Sequence, residues 1–166
     1  MFSLNVPVPG SVSRLADELQ PALFGFERVR DDHTLLAKRI GDPDHFDART
    51  HEVRRALRGQ PAFEVQVTGV DYFAQPTVGT APVVYLAVES PGLLDLHDRL
   101  VDEFGAIDGL EGEDYTPHVT LARDGDMASA ERATEYDVEP VSWTVTELEF
   151  FDSKYREVAG RISLPA

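Results

Sequence analysis

The sequence predicts an α+β domain in which antiparallel sheets carry helices on their outer faces. Three observations lead there. Hydrophobic periodicity reads in the order β-α-β-β-α-β-β-α-β-α-β-β, with period-2 and helical segments interspersed. No low-complexity stretch or linker interrupts that order, and 166 residues suit one domain, so residues 1–166 are taken as a single unit. Two stretches also echo each other: "HTLLAKR" begins at His33 and "HVTLAR" at His118, 85 residues apart and close to half the chain. A repeat of that length allows two similar lobes facing one another.

Taken in order, residues 2–8 alternate as a strand that Pro7 and Pro9 keep short or near an edge. Ser11 or Ser13 is placed to cap a helix running to about Phe24, with Val12, Leu15, Ala16, Leu19 and Leu23 at helical spacing. "GFERVR" and "HTLLAKRIG" are strands separated by a turn at Asp31-Asp32. "DPDHFDARTHEVRRALRG" is a loop and then a helix that stops at Gly59. In "PAFEVQVTGVDYF", Phe63, Val65 and Val67 alternate with Glu64, Gln66 and Thr68 as in a half-buried strand. "VVYLAVE" is a nearly continuous apolar strand, and Leu93, Leu96, Leu100 and Phe104 mark a helix ended by Gly105. "YTPHVTLAR" is a strand, and "DGDMASAERATEY" a loop with a short helix. "SWTVTELEFFDSKY" and "REVAGRISLP" close the chain as a strand pair.

Composition excludes several functions. An apolar fraction of 42 % supports a packed core, while no run of about 18 apolar residues offers a membrane span. The first ten residues lack the basic and then long apolar pattern of a secretory signal, so a cytoplasmic protein is expected. Without cysteine there is no disulfide, thiolate metal site or thiol nucleophile. Thirty acidic residues oppose 15 basic ones, for a net charge of −15, and every basic residue except Lys38 and Lys154 is arginine. The acids are dispersed rather than clustered, which fits solubility in very high salt, where the Debye length falls to about 3 Å.

The second echo carries the clearer chemistry. Alternate strand side chains share a face, so Thr116, His118 and Thr120 project together while Val119 and Leu121 point to the core. Imidazole transfers protons near neutral pH, and a neighbouring hydroxyl donates to a phosphate oxygen. If two lobes are related by a pseudo-two-fold, His33 and His118 face each other across a cleft. Two opposed histidines suffice for metal-independent phosphodiester cleavage: one accepts a proton from the nucleophile, and the other gives one to the leaving oxygen. Arg39 and Arg123 are candidates for substrate phosphate, although strict alternation points Arg123 away from His118, and Tyr115 offers a stacking face for a base. His45, His51, Asp42, Asp44 and Asp47 are a weaker candidate set for a metal, and no Gly-rich phosphate loop or nucleophile elbow occurs.

On these motifs the chain resembles the two-histidine (2H) phosphoesterases, in the branch of 2′-5′ RNA ligases and RNA 2′,3′-cyclic phosphodiesterases. The resemblance spans nearly the whole chain, through "YTPHVTLAR", "PAFEVQVTGVDYF", "VVYLAVESPGLLDLHDRL", "WTVTELEFFDSKY" and "RISLP". It implies a bilobal fold with two antiparallel sheets facing across a central cleft. It also implies hydrolysis of 2′,3′-cyclic phosphate RNA ends to 2′-phosphates, with reversible 2′-5′ ligation in some members, and no metal or other cofactor. Carried over by position, His118 and Thr120 match the second His-x-Thr motif, and His33 matches the first histidine. The first motif departs from the pattern, because Leu35 stands where Thr or Ser is expected and Thr34 follows His33 directly. Three readings stay open: a bulge that turns Thr34 inward, loss of the threonine to Leu35, or a strand registered on Thr34 with Asp32 at the histidine position. The expected partners are RNA ends or small cyclic-phosphate nucleotides, and the expected state is a monomer. The alternatives are a cyclic phosphodiesterase for small nucleotides or ADP-ribose derivatives, and a non-catalytic RNA-binding protein.

Overall fold

Strand pairing is antiparallel throughout. The computed structural model describes residues 1–166. Its elements run β1 (Phe2–Val6), α1 (Gly10–Glu18), β2 (Phe26–Val29), β3 (Leu35–Gly41), α2 (Phe46–Ala56), β4 (Phe63–Phe73), β5 (Val83–Glu89), α3 (Pro91–Phe104), β6 (His118–Gly125), α4 (Met127–Ala133), β7 (Val141–Val145), β8 (Glu147–Asp152) and β9 (Glu157–Ser163). The strands order as β7-β4-β5-β6-β3-β1-β8-β9, with β2 also beside β6. Two halves, β7-β4-β5-β6 and β3-β1-β8-β9, therefore meet at β3 and β6, which share the one residue pair Leu35–Val119. The two sheets expected from the sequence are joined there into one hydrogen-bonded surface. Helix α3 lies against β3 and β4, and α4 against β4 and β5. A single cluster of 31 buried residues spans both halves, so each lobe's core supports the other.

Two elements depart from expectation. The first helix stops at Glu18 and gives way to a short 3₁₀ turn, Gln20–Leu23. Pro21 lacks an amide donor, and its ring crowds the carbonyl four residues back, so an α-helix cannot continue through it. Neither Ser11 nor Ser13 caps α1; Pro9 stands at the N-cap without a side-chain bond. The closing strand pair is three strands. Val145 and Leu148 are both buried, yet their odd spacing would put them on opposite faces of one continuous strand. The chain breaks between them, and β7 pairs with β4 while β8 pairs with β1, at opposite ends of the sheet. No helix is long and apolar enough to cross a membrane.

Candidate active site

The pairing of Leu35 with Val119 defines the centre of the site. A two-fold through that pair superposes Thr34 on His118, Leu36 on Thr120, and Arg39 on Arg123. Three features agree with this offset of 84 residues. Thr34–Gly41 and His118–Gly125 have the same burial pattern, with the second, fourth and fifth positions buried and the rest half-buried. Both strands slip register at the fourth position: β1 pairs Leu36 and Lys38 but skips Ala37, and β5 pairs Thr120 and Ala122 but skips Leu121. Each segment also ends in glycine. A bulge adds one residue and reverses the alternation beyond it. That reversal brings Arg39 and Arg123 onto the same face as Thr34 and His118.

That face lines a cleft of about 300 Å³, with Thr34, Arg39, His118, Thr120 and Arg123 in its wall. His118 Nδ1 lies 2.7 Å from the Thr116 carbonyl, which can only accept, so Nδ1 carries the proton and Nε2 is left as an acceptor. The rings of Phe73 and Tyr85 stand edge-on to the imidazole, each 5.2 Å away between centroids. Burial lowers the His118 pKa below its usual value; the Thr116 bond opposes this, and the charges of Arg39 and Arg123 add to it. A neutral imidazole at neutral pH follows, and it is competent as a general base.

Arg30 adds a third guanidinium to the cleft, and none of Arg30, Arg39 and Arg123 pairs with a carboxylate. Arg123 Nε is buried without a partner, while one terminal nitrogen reaches the Val78 carbonyl at 3.3 Å. Burial, reinforced by Arg30 and Arg28, lowers the Arg123 pKa. Gly79 lets the guanidinium lie on the backbone: a Cβ there would stand 1.7 Å from it, and φ is +86°. In a chain of net charge −15, a cleft with three unpaired guanidiniums and one carboxylate, Asp114, is an anion site.

A buried polar cluster braces the bulge of β3. Lys38 Nζ and Glu111 Oε1 lie 2.8 Å apart, with side chains 5 % and 0 % exposed. Glu111 also accepts the backbone amides of Arg39 and Ile107. Burial alone would raise the Glu111 pKa, but the Lys38 and amide hydrogen bonds outweigh it and the net shift is downward. His97 Nε2 accepts the Gly112 amide, so its Nδ1–H donates to the Ala37 carbonyl at 2.7 Å. Tyr115 stacks on His97 at 3.8 Å and donates to the Leu36 carbonyl at 2.7 Å. Both carbonyls thus anchored lie at the bulge.

Of the residues expected from sequence, the fold gathers Thr34, Arg39, Tyr115, His118, Thr120 and Arg123 around the cleft. His33 is not brought there. The strand is registered on Leu35 opposite Val119, so Thr34 and Leu36 take the cleft face and His33 lies outside the wall. Burial lowers its pKa, with Asp17, Asp32 and Asp31 opposing, a different set of charges from those around His118. None of the three readings of the first motif describes this arrangement. The bulge is at Ala37 rather than Thr34, Leu35 is fully buried, and Thr34 itself occupies the histidine position. Tyr115 lines the cleft with one face of its ring stacked on His97. No group of three or more acidic or histidine side chains gathers to hold a metal, so His45, His51 and the neighbouring aspartates form no such cluster. Sequence reasoning missed Arg30, which follows β2 and reaches the cleft, and it missed Lys38, His97 and Glu111, because a polar residue bound for a buried network looks like a solvated one in a bare sequence.

Comparison with known proteins agrees with this fold. An RNA 2′,3′-cyclic phosphodiesterase of Methanothermobacter thermautotrophicus is 34 % identical over 116 residues, covering 68 % of this chain and 62 % of the relative. The alignment therefore spans less than two thirds of that protein's length. Escherichia coli LigT, in its complex with 3′-AMP, superposes with a TM-score of 0.70 at 18 % identity, over 99 % of this chain and 98 % of LigT. A Thermus thermophilus protein superposes with a TM-score of 0.68 at 22 % identity, over 98 % and 97 % of the two chains. These two likenesses are likenesses of fold. The model of the 2′-5′ RNA ligase superfamily matches residues 12–155, most of the chain, with both cleft strands inside the match. This chain belongs to the 2′-5′ RNA ligase superfamily.

Proposed function

We propose that the chain is a phosphodiesterase that opens 2′,3′-cyclic phosphate ends of RNA to 2′-phosphates. In this reading the reversible 2′-5′ ligation runs the same displacement with a ribose hydroxyl in place of water. The observation that carries the reading is the cleft itself: a neutral, oriented imidazole among three unpaired guanidiniums and the hydroxyls of Thr34 and Thr120. Water attacks phosphorus as His118 Nε2 takes its proton, and the bond from phosphorus to the 3′ oxygen breaks. Thr120, Arg39 and Arg123 hold the equatorial oxygens, where charge develops in the transition state, and the Thr34 hydroxyl faces the leaving oxygen. The relative from M. thermautotrophicus carries the name of this activity, and LigT has been crystallised with 3′-AMP and with phosphate. In this reading the protein is a cytoplasmic monomer, one bilobal domain of residues 1–166, and its dispersed acidic residues keep it soluble at high salt.

The test is release of a 2′-phosphate from an oligoribonucleotide with a 2′,3′-cyclic end, assayed in about 1 M salt so that surface repulsion is screened. His118→Ala should lower turnover by roughly 10²- to 10⁴-fold with the fold intact. Near-native turnover in that variant sinks the mechanism. Turnover of small cyclic nucleotides but not of RNA ends moves the substrate to the small-molecule class. RNA binding without turnover of either makes the chain a binding protein.

A further inference from the structure

The first half-site departs from the second in a way that bears on mechanism. Backbone register, burial and bulge position all relate Thr34–Gly41 to His118–Gly125. The two arginines obey that relation. The proton-transfer residues do not: Thr34 stands where the two-fold calls for an imidazole, and Leu36 where it calls for a hydroxyl. We propose that this cleft works with one histidine, that Thr34 replaces the second, and that His33 takes no part in the reaction. The proposal rests on the phosphodiesterase reading for its chemistry, but its geometric core, that His33 lies outside the cleft, stands independently.

The groups facing His118 decide what one histidine can do. Arg39 comes from β3, Arg123 from β6 itself, the Tyr85 ring from β5 and the Phe73 ring from β4. Tyr85 is fixed as the phenol, since burial and Asp71 push its pKa to about 12. The cleft carboxylate Asp114 is engaged by the Gly109 amide at 3.0 Å. None of these replaces an imidazole as a proton donor near neutral pH. In-line displacement puts the attacking and leaving oxygens on opposite sides of phosphorus, so His118 serves only one of them. It takes the proton of the attacking water. The phosphorus–oxygen bond breaks, the electron pair stays on the 3′ oxygen, and a solvent water beside the Thr34 hydroxyl supplies the proton that oxygen needs. His118 then returns its proton to solvent, and the net change is addition of one water to the cyclic diester.

Two measurements test this. In the first, a 2′,3′-cyclic mononucleotide and then inorganic phosphate are titrated into the labelled protein, and the imidazole resonances are followed by NMR. The expected result is that His118 signals move and His33 signals do not. Movement of both to a similar extent overturns the proposal, whether or not the protein turns substrate over. The second is kinetic. His33→Ala should keep turnover within about twofold of the parent, whereas a loss comparable with that of His118→Ala overturns the proposal. Thr34→His should raise turnover roughly 10²-fold, the usual contribution of a general acid. It should also add a falling alkaline limb to a pH profile that otherwise only rises to a plateau. An unchanged rate and profile in a folded Thr34→His variant overturns the proposal. If the parent turns over neither RNA ends nor cyclic nucleotides, the phosphodiesterase reading fails while the NMR result still decides where His33 lies.

Discussion

Strands β3 and β6 share one backbone register as far as their arginines and carry different chemistry. They share a central pair, a one-residue bulge at the fourth position, an arginine at the sixth and a glycine at the eighth. At the first of these positions one has Thr34, directly before β3, and the other has His118, the first residue of β6. The difference teaches that the shape of a half-site and its reactivity are separable. Shape comes from burying Leu35 and Val119 together and from the bulges that swing both arginines inward. In the proposed mechanism, reactivity comes from a single side chain, the one that differs between the two half-sites. The supports beneath the strands differ as well. The β3 bulge rests on the buried Lys38–Glu111 pair and His97, whereas the Leu121 carbonyl at the β6 bulge accepts only a backbone amide, from Arg30 at 2.8 Å.

The largest expected effect lies in that support. Removing one partner of a buried ion pair strands the other charge and costs about 3–5 kcal/mol. Glu111→Ala should lower unfolding stability by that much, read as a shift in the urea midpoint. The double replacement Lys38→Met with Glu111→Leu should recover only part of the loss, because the apolar pair strands no charge but leaves the Arg39 and Ile107 amides without their acceptor. If it did, while turnover stayed low, the pair would be a positioning device for the bulge and its arginine rather than a source of stability. Failure of Glu111→Ala to destabilise would mean that β3 holds its bulge without this network.

A smaller effect tests the symmetry itself. Hydrogen bonds to charged groups contribute about 1.5–3 kcal/mol, so Arg39→Ala and Arg123→Ala should each reduce kcat/KM by roughly tenfold to a hundredfold. The two losses should be similar, since the two-fold places the arginines equivalently about the proposed phosphate position. Gly79→Ala should imitate Arg123→Ala, because its Cβ would occupy the space of the guanidinium. A loss confined to one arginine would show that the phosphate sits off the axis, nearer one strand.

Much of this was legible in the sequence. Strand β5 follows from its apolar run at its observed bounds, α3 ends at Gly105 as its periodicity requires, and the half-chain echo foretells the two lobes. What stayed hidden is what one residue of register can alter. Alternation assumes a regular strand, so it sends Arg123 away from the cleft and groups Arg39 with His33; the bulges at Leu121 and Ala37 reverse both. The echo aligned by letter pairs His33 with His118, whereas alignment by burial moves the match to Thr34. Glu111 lies in the Gly-rich stretch "GLEGED", where nothing local distinguishes a buried carboxylate from a solvated one. The division between β7 and β8 is written in the sequence as a change of parity across Thr146, from Trp143 and Val145 to Leu148 and Phe150, within what otherwise reads as one strand.

The smallest effect separates the two histidines most directly. Both have lowered pKa values, for which burial is the main cause, but the charges around them have opposite signs. Asp17, Asp32 and Asp31 raise the His33 value, against Arg30 alone, while Arg39 and Arg123 lower that of His118. Raising salt from about 0.1 M to about 1 M shortens the Debye length from about 10 Å to about 3 Å, which weakens these local fields and leaves burial in place. The His33 pKa should then fall and the His118 pKa should rise, as followed by NMR titration in the two salts. Shifts in the same direction would mean that the two rings share one electrostatic environment, against the strand register. The same titrations bear on stability. A histidine whose pKa is lowered on folding binds fewer protons than in the unfolded chain, so its contribution is complete above the unfolded value of about 6.5 and is lost as pH falls through the folded value. High salt should therefore move the acid limb that His118 contributes toward neutral pH, and the limb that His33 contributes away from it.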